Sequence, residues 1–566
     1  MRAFLLLFAP AIVLAMCPAL AAPTIPDAAA LSALFAKLER GEAVTVVGIG
    51  GSITMAEPGW FNLTTERLRA AYPRATIFGV NAGVSGTGSD LAVYRLQRDV
   101  ISQSPDLVFI EFVVNDGGAP AETVTRNLES LVVRLKRLPS PPAIVFVNVA
   151  SDSHAPVTRH QRVADHYGLL SVNLQPVIDA RLREMHQPWS ALFSDGVHPN
   201  LPGHTLYAET IMAALHAVRA QLQVRSSVPA YRLPTPLSSK PLILDGALVP
   251  VSKAAPGWVH RPLTLSQGWY GKFFQGELIS TGAGATLQLP FWGRAVGIWF
   301  LMSEKNGKLQ ASVDGKSYTD INTNNKWFYA PAMLATDLTP DWHVLSLAVM
   351  PGDDGKTLPV ELGYLLVQEQ GTHALPHAGW WARTSTQGPW TLARLQKNPW
   401  QAIPCSAWQM VGPFGGEAAE PWLAAATDLN RDFGVHPGDA PTASYSGAKG
   451  RTVSWQPGMG VNGWVDLEKM TGLRDRGVCF ARATIYSPKA QTVTARFAVD
   501  YFCRLYLNGT RALELLAIHG GPRSGVDCPL ALRAGKNDLW LVVHAGSGGY
   551  GFQLEVDANA GVTVTP

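Results

Sequence analysis

Three side chains in the first part of the chain have the types and spacing that nucleophilic catalysis requires. Ser52 follows an apolar run, Val44 to Ile49, and a pair of glycines. Asp195 and His198 stand three residues apart in one short segment. A serine hydroxyl needs a base to take its proton, and the base needs a carboxylate to orient it. These residues predict a Ser52–His198–Asp195 catalytic triad for acyl transfer.

Each segment has a simpler interpretation when it is taken alone. A Gly-Gly-Ser sequence is most often only a turn, and an Asp-Gly turn followed by a histidine is most often a surface loop. A dinucleotide-binding loop is excluded, because G-x-G-x-x-G counted from Gly48 would need a glycine where Ile53 stands. The G-x-S-x-G elbow of the α/β-hydrolase fold occurs nowhere in the chain.

Together the segments resemble the SGNH (GDSL-like) hydrolase superfamily, whose blocks contribute Ser, Gly, Asn and an Asp-x-x-His pair in that order. The corresponding blocks here are Gly51-Ser52-Ile53, Asn81 to Gly86, Val114-Asn115-Asp116 and Asp195 to Pro199. The resemblance implies that the N–H groups of Ser52 and Gly86 and the side-chain amide of Asn115 form the oxyanion hole. The chain departs from the family pattern at Gly51, where an Asp is common, and at Val113, where a Gly is common.

The predicted mechanism uses only side chains and backbone. His198 takes the proton of Ser52, Ser52 attacks an ester carbonyl, and water then releases the acyl group. A glycine lets the backbone approach the substrate closely, and a neutral amide donates without adding a competing base. We therefore expect no cofactor and no metal ion.

The elements that position these blocks are readable from residue 40 to 222. Short apolar strands alternate there with amphipathic helical stretches, which predicts a three-layer α/β/α domain with a parallel sheet. The predicted strands are Val44 to Ile49, Ile77 to Val80, Leu107 to Val113, Ile144 to Val149 and Leu169 to Val172. The helical stretches include Glu122 to Leu138 and Thr205 to Leu222. Ligands of open α/β sheets collect at the carboxyl edge, where Ser52 follows the first strand.

The rest of the chain predicts all-β structure. A chain of 566 residues exceeds the roughly 250–300 residues that one hydrophobic core can serve, so several domains are expected. A linker is marked by Pro229, Pro234, Pro236 and Pro241. Alternating segments and turns follow, and they indicate two β-sandwiches. The predicted division is a signal peptide over 1–22, the SGNH catalytic domain over 23–225, an accessory β-sandwich over 226–400 and a second β-sandwich over 401–566.

Two β-hairpins and one further resemblance belong to these regions. Asp314-Gly315 and Asn508-Gly509 are favourable hairpin turns. The last region, with Trp408 to Phe414 and Tyr506 to Gly509, resembles a galactose-binding-like jelly roll. The resemblance implies a module that holds sugars near the catalytic domain.

The N-terminus and the cysteines bear on the compartment. Arg2 is followed by an apolar run that ends in Ala19-Leu20-Ala21, a pattern typical of a secretory signal peptide with cleavage near Ala21 or Ala22. We expect an exported protein, periplasmic or secreted, with no membrane attachment after cleavage. Export permits disulfides among Cys405, Cys479, Cys503 and Cys528, with the pairing left open. The small net charge of +3 favours no nucleic-acid partner.

The expected substrate is an acetylated polysaccharide or oligosaccharide. The three-part layout resembles carbohydrate esterase family twenty, bacterial acetylesterases that act on plant xyloglucan; xylan and pectin are the other candidates. Trp60 and Trp189 are candidates to stack on a sugar, and His154 is a candidate to line the site. His160 and His166 are expected to be ordinary surface or capping residues. The alternatives are a lipase or thioesterase, a sugar O-acyltransferase and a non-enzymatic glycan-binding protein, and the oligomeric state is left open.

Overall fold

The computed structural model describes most of the chain. The described residues are 27–223, 231–251, 257–262, 273–274, 276–282, 284–326, 328–352, 355–368, 400–416, 428–461, 463–471, 477–500, 502–515, 526–545 and 550–565. The predicted signal peptide lies outside them, as does Pro229 of the predicted linker. No helix in these ranges is both long enough and apolar enough to cross a membrane.

A parallel sheet of five strands forms the core of the first region, in the order β2-β1-β3-β4-β5. The strands are β1 (Ala43–Gly50), β2 (Thr76–Gly83), β3 (Leu107–Glu111), β4 (Ala143–Asn148) and β5 (Leu170–Asn173). All five predicted strands are present, with ends shifted by at most three residues. Strand β3 ends at Glu111, two residues before the predicted end at Val113, because the chain turns there towards Asn115.

Helices cover both faces of this sheet. They are α1 (Ala28–Arg40), α2 (Ser52–Met55), α3 (Trp60–Ala71), α4 (Ser89–Asp99), α5 (Ala121–Lys136), α6 (Thr158–His166), α7 (Gln175–Met185) and α8 (Leu201–Gln223). Alternate residues of a strand point to opposite faces. Val47 and Ile49 accordingly pack with α4, α5 and α6, whereas Val44 and Val46 pack with α1, α3 and α8. The predicted three-layer α/β/α domain is confirmed.

A middle β region spans residues 246–368. Its strands are β6 (Gly246–Pro250), β7 (Trp258–Pro262), β8 (Gly276–Ser280), β9 (Thr286–Gly293), β10 (Ala295–Leu301), β11 (Lys308–Val313), β12 (Lys316–Asn322), β13 (Tyr329–Ala335), β14 (Asp341–Met350) and β15 (Glu361–Gln368). One antiparallel sheet contains β6, β7, β8, β10, β13 and β15, and the other contains β9, β11, β12 and β14. Leu278 and Ile298 of the first sheet share a core with Leu289 and Leu347 of the second, which makes a sandwich.

A C-terminal β region spans residues 400–565. Its elements are β16 (Trp400–Ala402), β17 (Gln409–Phe414), β18 (Ser444–Ser446), β19 (Thr452–Ser454), β20 (Gln456–Pro457), β21 (Gly460–Val461), β22 (Trp464–Asp466), α9 (Leu467–Thr471), β23 (Val478–Ser487), β24 (Gln491–Asp500), β25 (Phe502–Leu507), β26 (Thr510–Leu515), β27 (Val526–Leu532), β28 (Gly535–His544), β29 (Gly551–Asp557) and β30 (Thr563–Thr565). Two large antiparallel sheets enclose one core here. The predicted Asn508-Gly509 turn joins β25 to β26.

The cysteines of the C-terminal β region are free thiols. Cys479, Cys503 and Cys528 are buried, and Cys405 is half-buried. The disulfides that export would permit are therefore not formed. Burial raises the pKa of the Cys479 thiol to about 12, so this side chain behaves as a small apolar core residue.

The segment 231–245, predicted as part of a linker, lies against the α/β domain. The backbone N–H groups of Leu237 and Ser238 donate to the two carboxylate oxygens of Glu129 on α5, at 2.6 and 2.7 Å. Ile243 is buried against the helices of this face, and its N–H donates to Ser130 Oγ of α5 at 2.9 Å. The proline pattern marked a stretch without helix or strand, but these contacts hold the stretch to the domain surface.

Candidate active site

Ser52 is the first residue of α2, and only Gly51 separates it from the end of β1. The first N–H groups of a helix have no partner inside the helix, so they can donate to an anionic oxygen. The preceding N–H, that of Gly51, donates to Glu111 Oε2 at 3.3 Å. The elbow that carries Ser52 is therefore tied to the end of the neighbouring strand β3.

The structure brings together the three predicted triad residues. Ser52 Oγ lies 2.7 Å from His198 Nε2, and His198 Nδ1 lies 2.7 Å from Asp195 Oδ2. A carboxylate can only accept, so Nδ1 carries the proton and Nε2 is left as the acceptor for the Ser52 hydroxyl. This arrangement can remove a proton from Ser52 and stabilise the imidazolium that forms.

The loop that carries Asp195 and His198 is held by its own backbone. The N–H groups of Val197 and His198 donate to Asp195 Oδ1 at 2.8 and 2.7 Å. Partial burial disfavours the charged carboxylate, but these donors and the His198 ring outweigh it and lower the pKa of Asp195 to about 2. Asp195 therefore stays ionised in the folded protein until the pH falls towards 2. Its contribution to stability is present above pH 3.8, the ordinary pKa of the group, and is lost as the pH falls from there through about 2.

Two neighbouring elements fix the position of this loop. The indole N–H of Trp189 donates to the Asp195 carbonyl at 2.8 Å, and the Trp189 ring stacks on Phe193 at 3.8 Å. On the other side, the N–H of Asp152, in the loop after β4, donates to the Gly196 carbonyl at 2.9 Å.

The loops that carry Gly86 and Asn115 meet the Ser52 elbow at the carboxyl edge of the sheet. Val84 N–H donates to the Gly50 carbonyl at 3.0 Å, and Ser89 N–H donates to Asp116 Oδ1 at 2.8 Å. Gly86 has a φ of +67°, which favours glycine because other residues are strained there. All three predicted oxyanion donors thus lie on loops that contact one another.

The glycine at position 51 has a steric reason. A Cβ atom on Gly51 would lie 2.2 Å from Asn115 Oδ1. The side-chain amide of Asn115 therefore packs directly against the residue before Ser52. The Asp that is common at this position in the resembled family would collide with Asn115 in this arrangement.

Residues that the sequence analysis missed hold the Asn115 loop from behind. His160 was predicted to be a surface or capping residue, and this is wrong: its side chain is buried and Nε2 lies 3.1 Å from Asp116 Oδ2. Arg159 donates to the carbonyls of Gly117 and Ala119 at 2.8 and 2.5 Å. No local sequence signal pointed to these contacts, because Arg159 lies 42 residues from Gly117 and 40 residues from Ala119.

The arrangement is suited to acyl transfer by a serine nucleophile. Within the described ranges, no group of three or more His, Cys, Asp or Glu side chains is placed to hold a metal ion. Residues 44–206 match the model of the GDSL-like lipase/acylhydrolase family, and this range includes all four sequence blocks. Residues 44–206 form a GDSL-type serine esterase domain.

The esterase domain also has individual relatives. An acetylxylan esterase of Geobacillus stearothermophilus is 27% identical over 186 residues, which cover 29% of this chain and 83% of the relative. The solved structure of a two-domain esterase active on acetylated mannans, crystallised with mannopentaose, is 23% identical with a TM-score of 0.52. That match covers 61% of this chain and 96% of the other, so the shared fold extends past the esterase domain. A structure of the Geobacillus acetylxylan esterase is 25% identical, has a TM-score of 0.27 and covers 30% of this chain and 94% of its own.

The structure places the three predicted sugar-contacting residues in different surroundings. The prediction for Trp60 is wrong: its side chain is fully buried and packs edge-on against Phe61 and Phe109 in the core of the esterase domain. Trp189 is half-buried and lies beside the triad loop, as described above. His154 is exposed on the loop after β4, with Nε2 3.3 Å from Asp179 Oδ2. Contact of Trp189 and His154 with a sugar stays a prediction.

We expect Asn115→Ala to lower kcat of the esterase about 100- to 1000-fold with little change in KM, because one of the three predicted oxyanion donors is lost. The measurement is steady-state hydrolysis of p-nitrophenyl acetate. The matched control is Asn173→Ala, which removes the same side chain at the end of β5. A fall in kcat of less than about fivefold would exclude Asn115 from the oxyanion hole.

Glu111 beneath the elbow predicts a pH effect on stability. Burial raises the pKa of Glu111 from 4.5 to about 8, although hydrogen bonds from Thr54 and the Gly51 N–H act in the opposite direction. Between these two values the folded state holds a proton that the unfolded state has released, so stability falls as the pH rises. Glu111→Gln should therefore gain in Tm over the wild type between pH 5 and 8.

Thermal melts across this pH range test the prediction. The control is Glu184→Gln, because the Glu184 side chain is 72% exposed. A difference in Tm between Glu111→Gln and the wild type that does not change with pH would contradict the raised pKa.

Proposed function

We propose that this protein removes O-acetyl groups from an acetylated plant cell-wall polysaccharide or oligosaccharide through an acyl-enzyme on Ser52. The observation that carries the proposal is the open setting of the triad. The side chains of His198 and Asp195 are 44% and 55% exposed. A long acyl chain needs an apolar cavity beside the nucleophile. A small acetyl group on a large polymer instead needs a nucleophile that the polymer can reach from solvent.

The proposed steps follow from the geometry. Ser52 Oγ attacks the acetyl carbonyl while His198 Nε2 takes its proton. The N–H groups of Ser52 and Gly86 and the Asn115 amide hold the oxyanion. The tetrahedral intermediate collapses, the C–O bond to the sugar breaks, and His198 gives its proton to the leaving sugar oxygen. A water molecule, deprotonated by His198, then attacks the acetyl-enzyme and releases acetate and Ser52.

The substrate class is supported by what the relatives act on. The relative from Geobacillus stearothermophilus is an acetylxylan esterase. The two-domain esterase with a similar fold is active on acetylated mannans. Xyloglucan is the polymer favoured by the three-part layout, and xylan, mannan and pectin are the alternatives. The middle and C-terminal β regions are proposed to hold the polymer near the esterase domain, since a tethered module raises the local substrate concentration.

We also propose that the protein is exported, on the pattern of the first 22 residues. Expression with the native leader should give a mature N-terminus near residue 22 or 23 in the periplasm or the medium. An uncleaved protein that stays in the cytoplasm would contradict export.

Acetate release from acetylated xyloglucan, xylan, mannan and pectin tests the proposed function, with the Ser52→Ala protein as the blank. Release that depends on Ser52 supports the proposal and names the polymer. No release from any polymer, with p-nitrophenyl acetate still cleaved, would reject the polysaccharide. Faster hydrolysis of long-chain p-nitrophenyl esters would favour a lipase, and acetyl transfer to free sugars would favour an acyltransferase.

A further inference from the structure

A tyrosine of the middle β region reaches into the loop that carries Gly86. The hydroxyl of Tyr329, at the start of β13, donates to the backbone carbonyl of Ser85 at 2.9 Å. The two residues are 244 positions apart in sequence. A side chain outside the esterase domain therefore contacts the loop that carries Ser85 and Gly86, which we call the oxyanion loop.

The position of this contact matters because of the planarity of the peptide group. The Ser85 carbonyl and the Gly86 N–H belong to one planar trans peptide unit, so the two bonds point in opposite directions. A hydrogen bond that fixes the carbonyl also fixes the direction of the N–H. Donation to the carbonyl also polarises the peptide unit and makes its N–H a stronger donor. Tyr329 thus acts on the same group that is proposed to bind the oxyanion.

The phenol is held with little freedom. Tyr329 is 2% exposed, and its ring packs edge-on against Phe273 and Trp299, with centroids 5.7 Å away in each case. Burial raises the pKa of the Tyr329 hydroxyl far above its usual value. The hydroxyl therefore keeps its proton and can donate at any pH at which the enzyme would work.

Helix α4 of the esterase domain contacts the aromatic cluster formed by Phe273, Trp299, Tyr329 and Tyr364. Arg98 of α4 lies over the ring of Tyr364 at 5.4 Å and donates to the Phe273 carbonyl at 3.2 Å. Trp299, Tyr329 and Tyr364 belong to the same buried core as the residues of α4. The cluster cannot shift relative to the oxyanion loop without opening this core.

We propose that Tyr329 is a positioning residue of the oxyanion hole, which makes the middle β region a working part of the active site. The inference rests on the proposed oxyanion role of the Gly86 N–H, but it does not depend on which polymer is the substrate. It predicts that loss of the Tyr329 hydroxyl slows the chemical step and leaves substrate binding intact.

The test compares Tyr329→Phe with Tyr364→Phe in the full-length protein. Both changes remove one hydroxyl from the same aromatic cluster, but only Tyr329 contacts Ser85. For p-nitrophenyl acetate, Tyr329→Phe should lower kcat about tenfold and change KM less than twofold, since a misdirected donor costs less than a missing one. Tyr364→Phe should keep kcat within twofold of the wild type. The Tm of each variant is measured alongside.

The outcomes are distinct. A wild-type kcat for Tyr329→Phe, whatever its Tm, would overturn the positioning role. Equal losses of kcat in both variants, in proportion to their losses of Tm, would also overturn it, because the effect would then be one of stability alone. Wild-type protein that cleaves aryl acetates but no polymer would reject only the polysaccharide. Wild-type protein without Ser52-dependent hydrolysis would overturn the proposed function and this inference together.

Discussion

Ser52→Ala should lower kcat for ester hydrolysis about a million-fold, which is the largest effect expected of any single change in this protein. The reason is that Ser52 Oγ is the atom 2.7 Å from the imidazole base, and alanine leaves that base with nothing to activate. The oxyanion donors and the binding surface remain, so a small residual rate above that of water is expected. Hydrolysis of p-nitrophenyl acetate measures the effect.

The control for this change is Ser190→Ala. Ser190 is an exposed serine near the triad loop, and its loss should leave kcat and KM unchanged. Ser52→Ala should also keep the wild-type Tm, because the Ser52 side chain is small and half-buried. Retention of more than about one per cent of the activity would reject Ser52 as the nucleophile.

Asp195→Asn should lower kcat about ten-thousand-fold. The amide oxygen of asparagine can still accept from the backbone N–H groups of Val197 and His198, which now bond to Asp195 Oδ1. The loop therefore keeps its shape. What is lost is the anionic partner of His198 Nδ1, 2.7 Å away, so the ring is no longer held in the tautomer that can accept from Ser52.

Steady-state kinetics and a thermal melt measure this prediction together. Asp165→Asn, on the surface of α6, is the matched control. If Asp195→Asn lowered kcat less than about tenfold, the carboxylate would have no part in orienting His198. The expected order of effects is Ser52, Asp195, Asn115 and Tyr329, which runs from the reacting atom outwards.

The parts of this protein that sequence alone predicts are those set by local pattern. Apolar runs of four to eight residues mark buried parallel strands, and all five strands of the sheet were found this way. The triad was predicted from the types and spacing of Ser52, Asp195 and His198. The sheet edge adds that Ser52 and Asn115 lie together, because they follow the neighbouring parallel strands β1 and β3.

The wrong predictions concern side chains whose surroundings come from distant segments. Trp60 is close to Ser52 in sequence, but α3 turns it into the core against Phe109 of β3. The His160 ring lies 3.1 Å from the Asp116 carboxylate, and no local sequence pattern predicts this contact. Burial depends on which elements pack together, and periodicity within one helix does not carry that information.

Local sequence patterns predict the α/β/α fold of the first region, the all-β character of the rest and the catalytic candidates. Three features became visible only in the folded protein: the four cysteines of the C-terminal β region are unpaired, the proline-rich segment lies on α5, and Tyr329 reaches Ser85. The difference lies in how far apart in sequence the interacting residues are. Strands, turns and helix starts are specified by neighbouring residues, whereas a shared core and a hydrogen bond across 244 residues are specified by how complete elements pack.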